Sequence, residues 1–155
     1  MPLRLSLTGS PHVVRGKEGP AIALAPRDAV MLTWLITVGP TTRAQMAAML
    51  WPERGDEQAR NSLRQRLFQL RRQVGADLVV GTTTLELAAE VRHDLDPESS
   101  LLGDLSLPEC PSLNAWLQAM RDKRARQHRA TLIDKLDALE AQGDWHGALP
   151  LAESL

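Results

Sequence analysis

The alternation of polar and apolar positions changes period several times along the chain, and each change marks an element. Leu3, Leu5 and Leu7 alternate with Arg4, Ser6 and Thr8, the pattern of a half-buried strand. Gly9-Ser10-Pro11 makes a turn, His12-Val13-Val14 reads as the returning strand, Arg15 to Pro20 is a polar loop, and Ala21 to Leu24 is a third short strand. Three short strands within about 25 residues predict a small antiparallel sheet that must lie on something else. The period then becomes helical. Pro26 takes a first-turn position with Asp28 close behind, and Met31, Leu32, Leu35 and Ile36 form one face. Val38 extends that face, and Gly39-Pro40 stops the helix. Thr42 and Gln45 have capping-box spacing at the head of a second helix, with Met46, Ala47 and Leu50 facing inward and Trp51-Pro52 ending it.

The most strongly patterned stretch is Asp56 to Val74. Ala59, Leu63, Leu67, Leu70 and Val74 recur at helical spacing, and Leu63, Leu67 and Leu70 are expected to pack on Leu32, Leu35 and Leu50. Asp56 is the expected N-cap, and Gly75 falls where a helix ends in a left-handed residue. Leu78-Val79-Val80, a Gly81-Thr82-Thr83 tip and Thr84 to Leu87 then read as a hairpin. Asp94 to Pro111 is a polar connection carrying Pro97, Pro108 and Pro111, and marks an expected domain boundary. From Ser112 to Gln142 the pattern is purely helical, with Leu113, Trp116, Leu117, Met120, Leu132, Leu136 and Leu139 on the apolar face. Gly143 stops it and Asp144 caps a last helix that Pro150 should kink or end early. The chain finishes in a helical pattern, as if cut inside a larger all-helical module. The expected class is α+β, mostly helical: strands, three helices and a hairpin over residues 1–94, in the order of a winged helix-turn-helix, then an all-α segment over 95–155.

Composition narrows the chemistry. Hydrophobic content of 43% and charge of 24% are ordinary for a globular protein. The lone Cys110 excludes an intramolecular disulfide and a multi-cysteine zinc site, and His12, His93, His128 and His146 share no metal-ligand spacing. No cofactor or metal is expected. There is no bilayer-length apolar run and no signal-peptide pattern at Met1, which points to the cytoplasm and away from a membrane. No glycine-rich phosphate loop, nucleophile elbow or paired-carboxylate motif stands out, so the chain is not read as an enzyme. The net charge of −1 hides an asymmetry: residues 1–94 hold twelve Lys and Arg against nine Asp and Glu, residues 95–155 six against ten. From Gln58 to Ala76 there are five arginines and no acid. Arginine suits guanine edges and phosphates, Asn and Gln suit adenine edges, and an aromatic suits a thymine methyl. Periodicity alone favours an ordinary solvated surface helix; the surrounding elements favour a helix built to meet a duplex.

The run TTRAQMAAMLWP, a short acidic turn and ARNSLRQRLFQLRRQVG resembles the DNA-binding domain of SARP-type bacterial transcriptional activators, relatives of the OmpR-type winged helix. LRLSLTG matches their N-terminal sheet, and VRHDLDP occupies the place of a strand-Asp element. The stretch from LLGDLSLPECPSLNAWLQAM to GDWHGAL resembles the start of the bacterial transcriptional activator domain, built of tetratricopeptide-like helix pairs. The resemblance covers nearly the whole chain. It implies a sequence-specific activator that inserts helix Asp56–Val74 into the major groove of double-stranded DNA, often on direct repeats and as paired molecules. RNA polymerase and further helical or ATPase domains are the protein partners it implies. Carried over by position, Arg64, Gln65, Phe68 and Gln69 would read bases. Arg60, Asn61, Arg71, Arg72 and Arg43 would meet phosphates, and Thr82, Thr83 and Thr84 form the wing tip. That tip departs from the family in having no Arg or Lys.

Two readings remain open at the level of sequence, the placement of Phe68 and the class of function. Phe68 is either a groove-facing aromatic or a core residue on a rotated helix. Trp34 and Trp51 read as core, and Trp116 as the residue that packs the helical segment onto the rest. The second basic cluster, Arg121, Lys123, Arg124, Arg126 and Arg129, reads as a solvated face rather than a second DNA contact. The alternative function is a helical protein–protein interaction module without DNA binding, which leaves the acid-free arginine helix unexplained.

Overall fold

Alternation at the N-terminus does build a strand. The structure, a computed structural model, describes residues 2–96 and 99–141. In it β1 (Leu3–Ser6) pairs antiparallel with β2 (His12–Arg15), and β2 with β3 (Ala21–Ala23). Leu3, Leu5 and Leu7 are buried. The sequence predicts an antiparallel sheet, and the structure departs from that. A fourth strand from beyond the hairpin runs parallel to β1, with Leu5 opposite His93. Parallel neighbours need a long crossover, and here the intervening helices supply it.

The helices follow their punctuation closely. α1 (Pro26–Thr37) opens on Pro26 and is followed by Gly39 at φ 108°, a left-handed conformation that glycine accepts without strain. Val38 does not extend the apolar face. It lies past the last helical residue and is 53% exposed. β4 (Thr41–Thr42) leads into α2 (Arg43–Leu50), whose Thr42 hydroxyl accepts from the Gln45 amide at 3.2 Å. Met46, Ala47 and Leu50 are buried as expected. The Leu50 carbonyl at the end of α2 accepts from Arg27 Nε at 3.2 Å and from the Cys110 thiol at 3.0 Å. α3 (Asp56–Val74) is capped by Gly55 rather than Asp56, with no side-chain cap. Asp56 and Glu57 lie in its first turn, where they complement the helix dipole. It ends on Gly75 at φ 83°.

β5 (Val79–Val80) and β6 (Thr84–Leu87) form the expected hairpin, and β4 joins them in a three-stranded sheet through Thr41 opposite Leu85. β7 (Val91–His93) is the parallel strand of the first sheet. Asp94 fastens it. Its carboxylate accepts from the Leu7 amide at 2.8 Å and from the Ser6 and Thr8 hydroxyls at 2.9 and 3.0 Å. Burial pushes this carboxyl up, but the three hydrogen bonds outweigh that and hold it below the usual carboxylate range.

The connection after Asp94, polar by composition, puts Leu95, Leu101, Leu102, Leu107 and Cys110 into the same core as the preceding elements. α4 (Pro111–Ala141) follows as a single helix of 31 residues. Leu113 and Leu117 are buried, and the Trp116 ring lies 4.9 Å from Trp34, whose indole donates to Thr41 Oγ1 at 2.8 Å. Trp51 is core as expected, and Trp34 is half-buried. Two members of the second basic cluster are half-buried and tied to backbone carbonyls. Arg121 donates to the Leu101 and Leu105 carbonyls at 2.9 and 2.8 Å, and Arg124 to the Ser99 carbonyl at 2.9 Å and to that of Asp96. Lys123, Arg126 and Arg129 are exposed. The chain is thus α+β, with four helices and two small sheets among the described residues and about half of those residues helical. The last predicted helix, with Gly143, Asp144 and Pro150, lies outside them.

Candidate nucleic-acid interface

α3 turns a different arc inward from the one its leucines alone define. Ala59, Leu63, Leu70 and Val74 are buried as expected, but Leu67 is only half-buried and Ser62 is buried instead. At about 100° per residue, the inward arc is rotated by roughly 40° toward Ser62 and Arg66. Polar partners account for the rotation. Ser62 Oγ donates to the Gln58 carbonyl at 2.9 Å and accepts from Arg54 of the preceding turn. Arg66 reaches across to α1 and forks onto Asp28, donating from Nε to Oδ1 at 3.0 Å and from Nη2 to Oδ2. Asp28 is 1% exposed, so this pair is a buried carboxylate neutralised by a half-buried guanidinium. Hydrogen bonding to Asp28 raises the Arg66 pKa further, against the opposing effect of burial.

The rotation decides which residues face out. Phe68 is 61% exposed, so the core alternative is excluded. It lies nearest the centre of the outward face, in a stripe with Asn61, Gln65 and Arg72 along the helix, and Arg64 flanks it. Gln69, expected near that centre, moves to the flank, where its Oε1 accepts from Arg66 Nη1 at 3.1 Å. Arg64 donates to Asn61 Oδ1, and the Arg72 guanidinium carbon lies 5.9 Å from the Phe68 ring centroid. Gln65 and Arg60 are exposed and make no hydrogen bond or ion pair among the described residues.

The expected phosphate group divides in the same way. Arg71 Nε is 3.3 Å from Asp77, so part of its charge is already answered. Arg60, Arg64 and Arg72 have no carboxylate partner among the described residues. Arg43 opens α2 beside the hairpin tip. Its amide donates to the Thr83 carbonyl at 2.9 Å and its Nη2 to the Gly81 carbonyl at 2.8 Å, while its buried Nε has no partner. The exposed Thr82, Thr83 and Thr84 are thereby tied to the start of α2. Arg43, Glu57, Arg60, Asn61 and Arg64 line one open groove between these elements. The structure thus brings together the hairpin tip, Arg43 and the N-terminal half of α3, and carries the exposed stripe on to Arg72.

Sequence reasoning missed Arg66 as a structural residue. Its spacing from Leu63 and Leu70 placed it at the edge of the buried stripe, the one local signal available. At the far end of α3, Arg15 packs its guanidinium over Gly75, and Gln73 Nε2 donates to the Ala23 carbonyl of β3 at 2.8 Å. No group of three or more His, Cys, Asp or Glu residues able to hold a metal occurs among the described residues, and no helix among them is long and apolar enough to cross a membrane. Comparison with protein-family models, with curated proteins and with solved structures finds no match to this chain.

Proposed function

We propose that this protein is a sequence-specific DNA-binding transcriptional regulator. In this reading residues 1–94 act as a winged helix-turn-helix, with α2 and α3 as the helix-turn-helix pair and the β5–β6 hairpin as the wing. α4 begins a tetratricopeptide-like activator segment. The observation that carries the reading is the outward face of α3. It presents Arg60, Arg64 and Arg72 with no acidic partner among the described residues, interleaved with Asn61, Gln65 and an exposed Phe68, on a stretch that holds no acid from Gln58 to Ala76. A major groove about 12 Å wide admits such a helix, and this mix of guanidinium, amide and ring addresses guanine, adenine and thymine edges respectively. Arg64, Gln65 and Phe68 are the base readers in this reading, with Gln69 at the flank. Arg60, Asn61 and Arg43 meet the backbone, and the threonine tip lies against the adjoining phosphates through hydroxyls rather than charge.

The test is selection of bound sequences from a random duplex pool with the full chain, followed by gel shifts over a salt series. A DNA-binding protein of this kind enriches a defined sequence and loses affinity linearly in log salt. Absence of any duplex retention in modest salt would refute the reading and leave the helical interaction module as the better description.

A further inference from the structure

We infer that Phe68 and Arg72 act together to read a 5-methylpyrimidine followed by guanine, which in unmodified DNA is a TpG step. The inference rests on the DNA-binding reading above and assigns Arg72 to bases rather than to phosphates. Phe68 is the only phenylalanine in the chain, and it leaves 61% of its surface in water at the centre of the α3 outward face. It is not part of an apolar patch. The side chains around it on that face are Asn61, Arg64, Gln65 and Arg72, all exposed and all polar. A lone ring rimmed by cations and amides fits an apolar spot within a polar, anionic surface better than it fits a protein's hydrophobic groove. In the major groove that spot is the C5 methyl of thymine, or of 5-methylcytosine.

Arg72 supplies the second half. It stands one helical turn after Phe68, on the same stripe, with its guanidinium carbon 5.9 Å from the ring centroid. That approach is a long cation–π contact rather than a stack, and it draws the fork toward the Phe68 ring. A guanidinium that donates to guanine O6 and N7 lies in the plane of that base. Its face then covers the neighbouring pyrimidine, where a methyl group is also in reach of the Phe68 ring. Successive bases are about 3.4 Å apart along a strand, so the 5.9 Å between guanidinium carbon and ring centroid is under two steps and keeps the pair within reach of adjoining positions. Arg71, one residue earlier, is held by Asp77 and turned toward the edge of the face, so it does not compete for the guanine.

The experiment uses the full chain and a duplex carrying the site recovered by selection, with the central step made as TpG, UpG, CpG or 5-methyl-CpG, and binding followed by fluorescence anisotropy. Removing one methyl contact should weaken binding about fourfold, so TpG and 5-methyl-CpG bind better than UpG and CpG. Replacing the guanine with 7-deazaguanine, which lacks the N7 acceptor, should cost roughly tenfold. In Phe68→Ala the methyl preference should vanish while 7-deazaguanine is still penalised; in Arg72→Ala the guanine preference should vanish. If recovered sites contain no 5-methylpyrimidine–guanine step, or if uracil and thymine bind wild type alike, the inference is wrong although DNA binding stands. If Phe68→Ala weakens the methylated and unmethylated duplexes equally, the ring is a scaffold and the inference is also wrong. If no duplex binds at all, the DNA-binding reading fails and takes the inference with it.

Discussion

Replacing Arg66 with methionine should lower the stability of the whole fold, and the geometry of its pair with Asp28 sets the scale. The Asp28 side chain is 1% exposed and its two oxygens are both engaged by Arg66; the Arg66 side chain keeps 28% of its surface in water. Removing one partner of a fully buried ion pair costs about 3–5 kcal/mol, because the remaining charge has no answer. Water already reaches part of this pair, which discounts the figure to about 2–3 kcal/mol. With a urea dependence of about 2 kcal/mol per molar for a chain of this size, the midpoint should fall by roughly 1–1.5 M.

The same geometry makes a sharper claim about the double variant. In Asp28→Leu, Arg66 keeps its charge but can turn toward solvent, so the loss should be smaller, about 1 kcal/mol. Asp28→Leu/Arg66→Met removes both charges and should lie within about 1 kcal/mol of the parent. The two single losses therefore do not add, and the cycle isolates the pair. Urea unfolding followed by tryptophan fluorescence measures all four proteins. If the double variant is as unstable as Arg66→Met, or more so, the buried carboxylate is not what Arg66 answers and the account of the α3 rotation fails with it.

Leu67→Ala should cost only about 1–2 kcal/mol, against about 3–4 for Leu63→Ala, because Leu67 is half-buried and Leu63 is core; equal urea midpoints would place the inward arc on the leucines after all. Asp94→Asn should cost about 1 kcal/mol at neutral pH, a modest figure because the carboxylate is partly exposed to solvent. Its folded pKa is depressed, so its contribution is present above the unfolded carboxyl value near ~4 and is lost as pH falls through the lower folded value. The gap between Asp94→Asn and parent should close on acidification through that window, and a gap that widens would contradict it. In duplex binding, Arg60→Ala should reduce the log–log salt slope by about one unit, and Arg71→Ala by less, since Asp77 already neutralises part of that charge. Equal changes in slope would mean that the Arg71–Asp77 pair opens on DNA.

Most of the element boundaries were legible because they rest on local chemistry. Pro26, Gly39-Pro40, the Thr42 cap and Gly75 act over one turn, and each does in the structure what its residue type dictates. What was not legible depends on partners far along the chain. Arg66 meets Asp28 across 38 residues, and that contact, with Ser62 and Arg54, rotates α3 away from the angle its leucines alone predict. At about 100° per residue Phe68 lay roughly 40° from the centre of the face opposite the leucines, and the rotation brings it to that centre. The parallel pairing of β7 with β1 and the burial of Leu95, Leu101, Leu102 and Leu107 are likewise long-range. Composition read the connection as polar because its leucines are set among Asp, Glu, Ser and Pro and show no sustained period. Arg121 and Arg124 read as a solvated face for a related reason, since their partners are backbone carbonyls that carry no sequence signal.

The rotation also bears on how strongly a single copy could hold a duplex. Five arginines on α3 overstate the available charge: Arg66 is consumed by Asp28 and Arg71 is shared with Asp77, which leaves Arg60, Arg64 and Arg72 without a carboxylate partner among the described residues, with Arg43 adjoining. With Arg64 and Arg72 assigned to bases, Arg60 and Arg43 are left for phosphates, which corresponds to a salt slope of about −2. That is shallow, and a threonine hairpin tip adds no further charge. A regulator built this way would need its affinity from elsewhere: from a well-matched base step at the centre of α3, or from a second copy on a neighbouring repeat, where linkage of two weak sites multiplies affinity without new contacts. The two sources separate in one measurement. A single recovered half-site that binds nearly as tightly as a tandem pair points to base reading as the main term. Tight binding that appears only on the tandem site points to pairing, and then the arginines lost to structure explain why pairing is required.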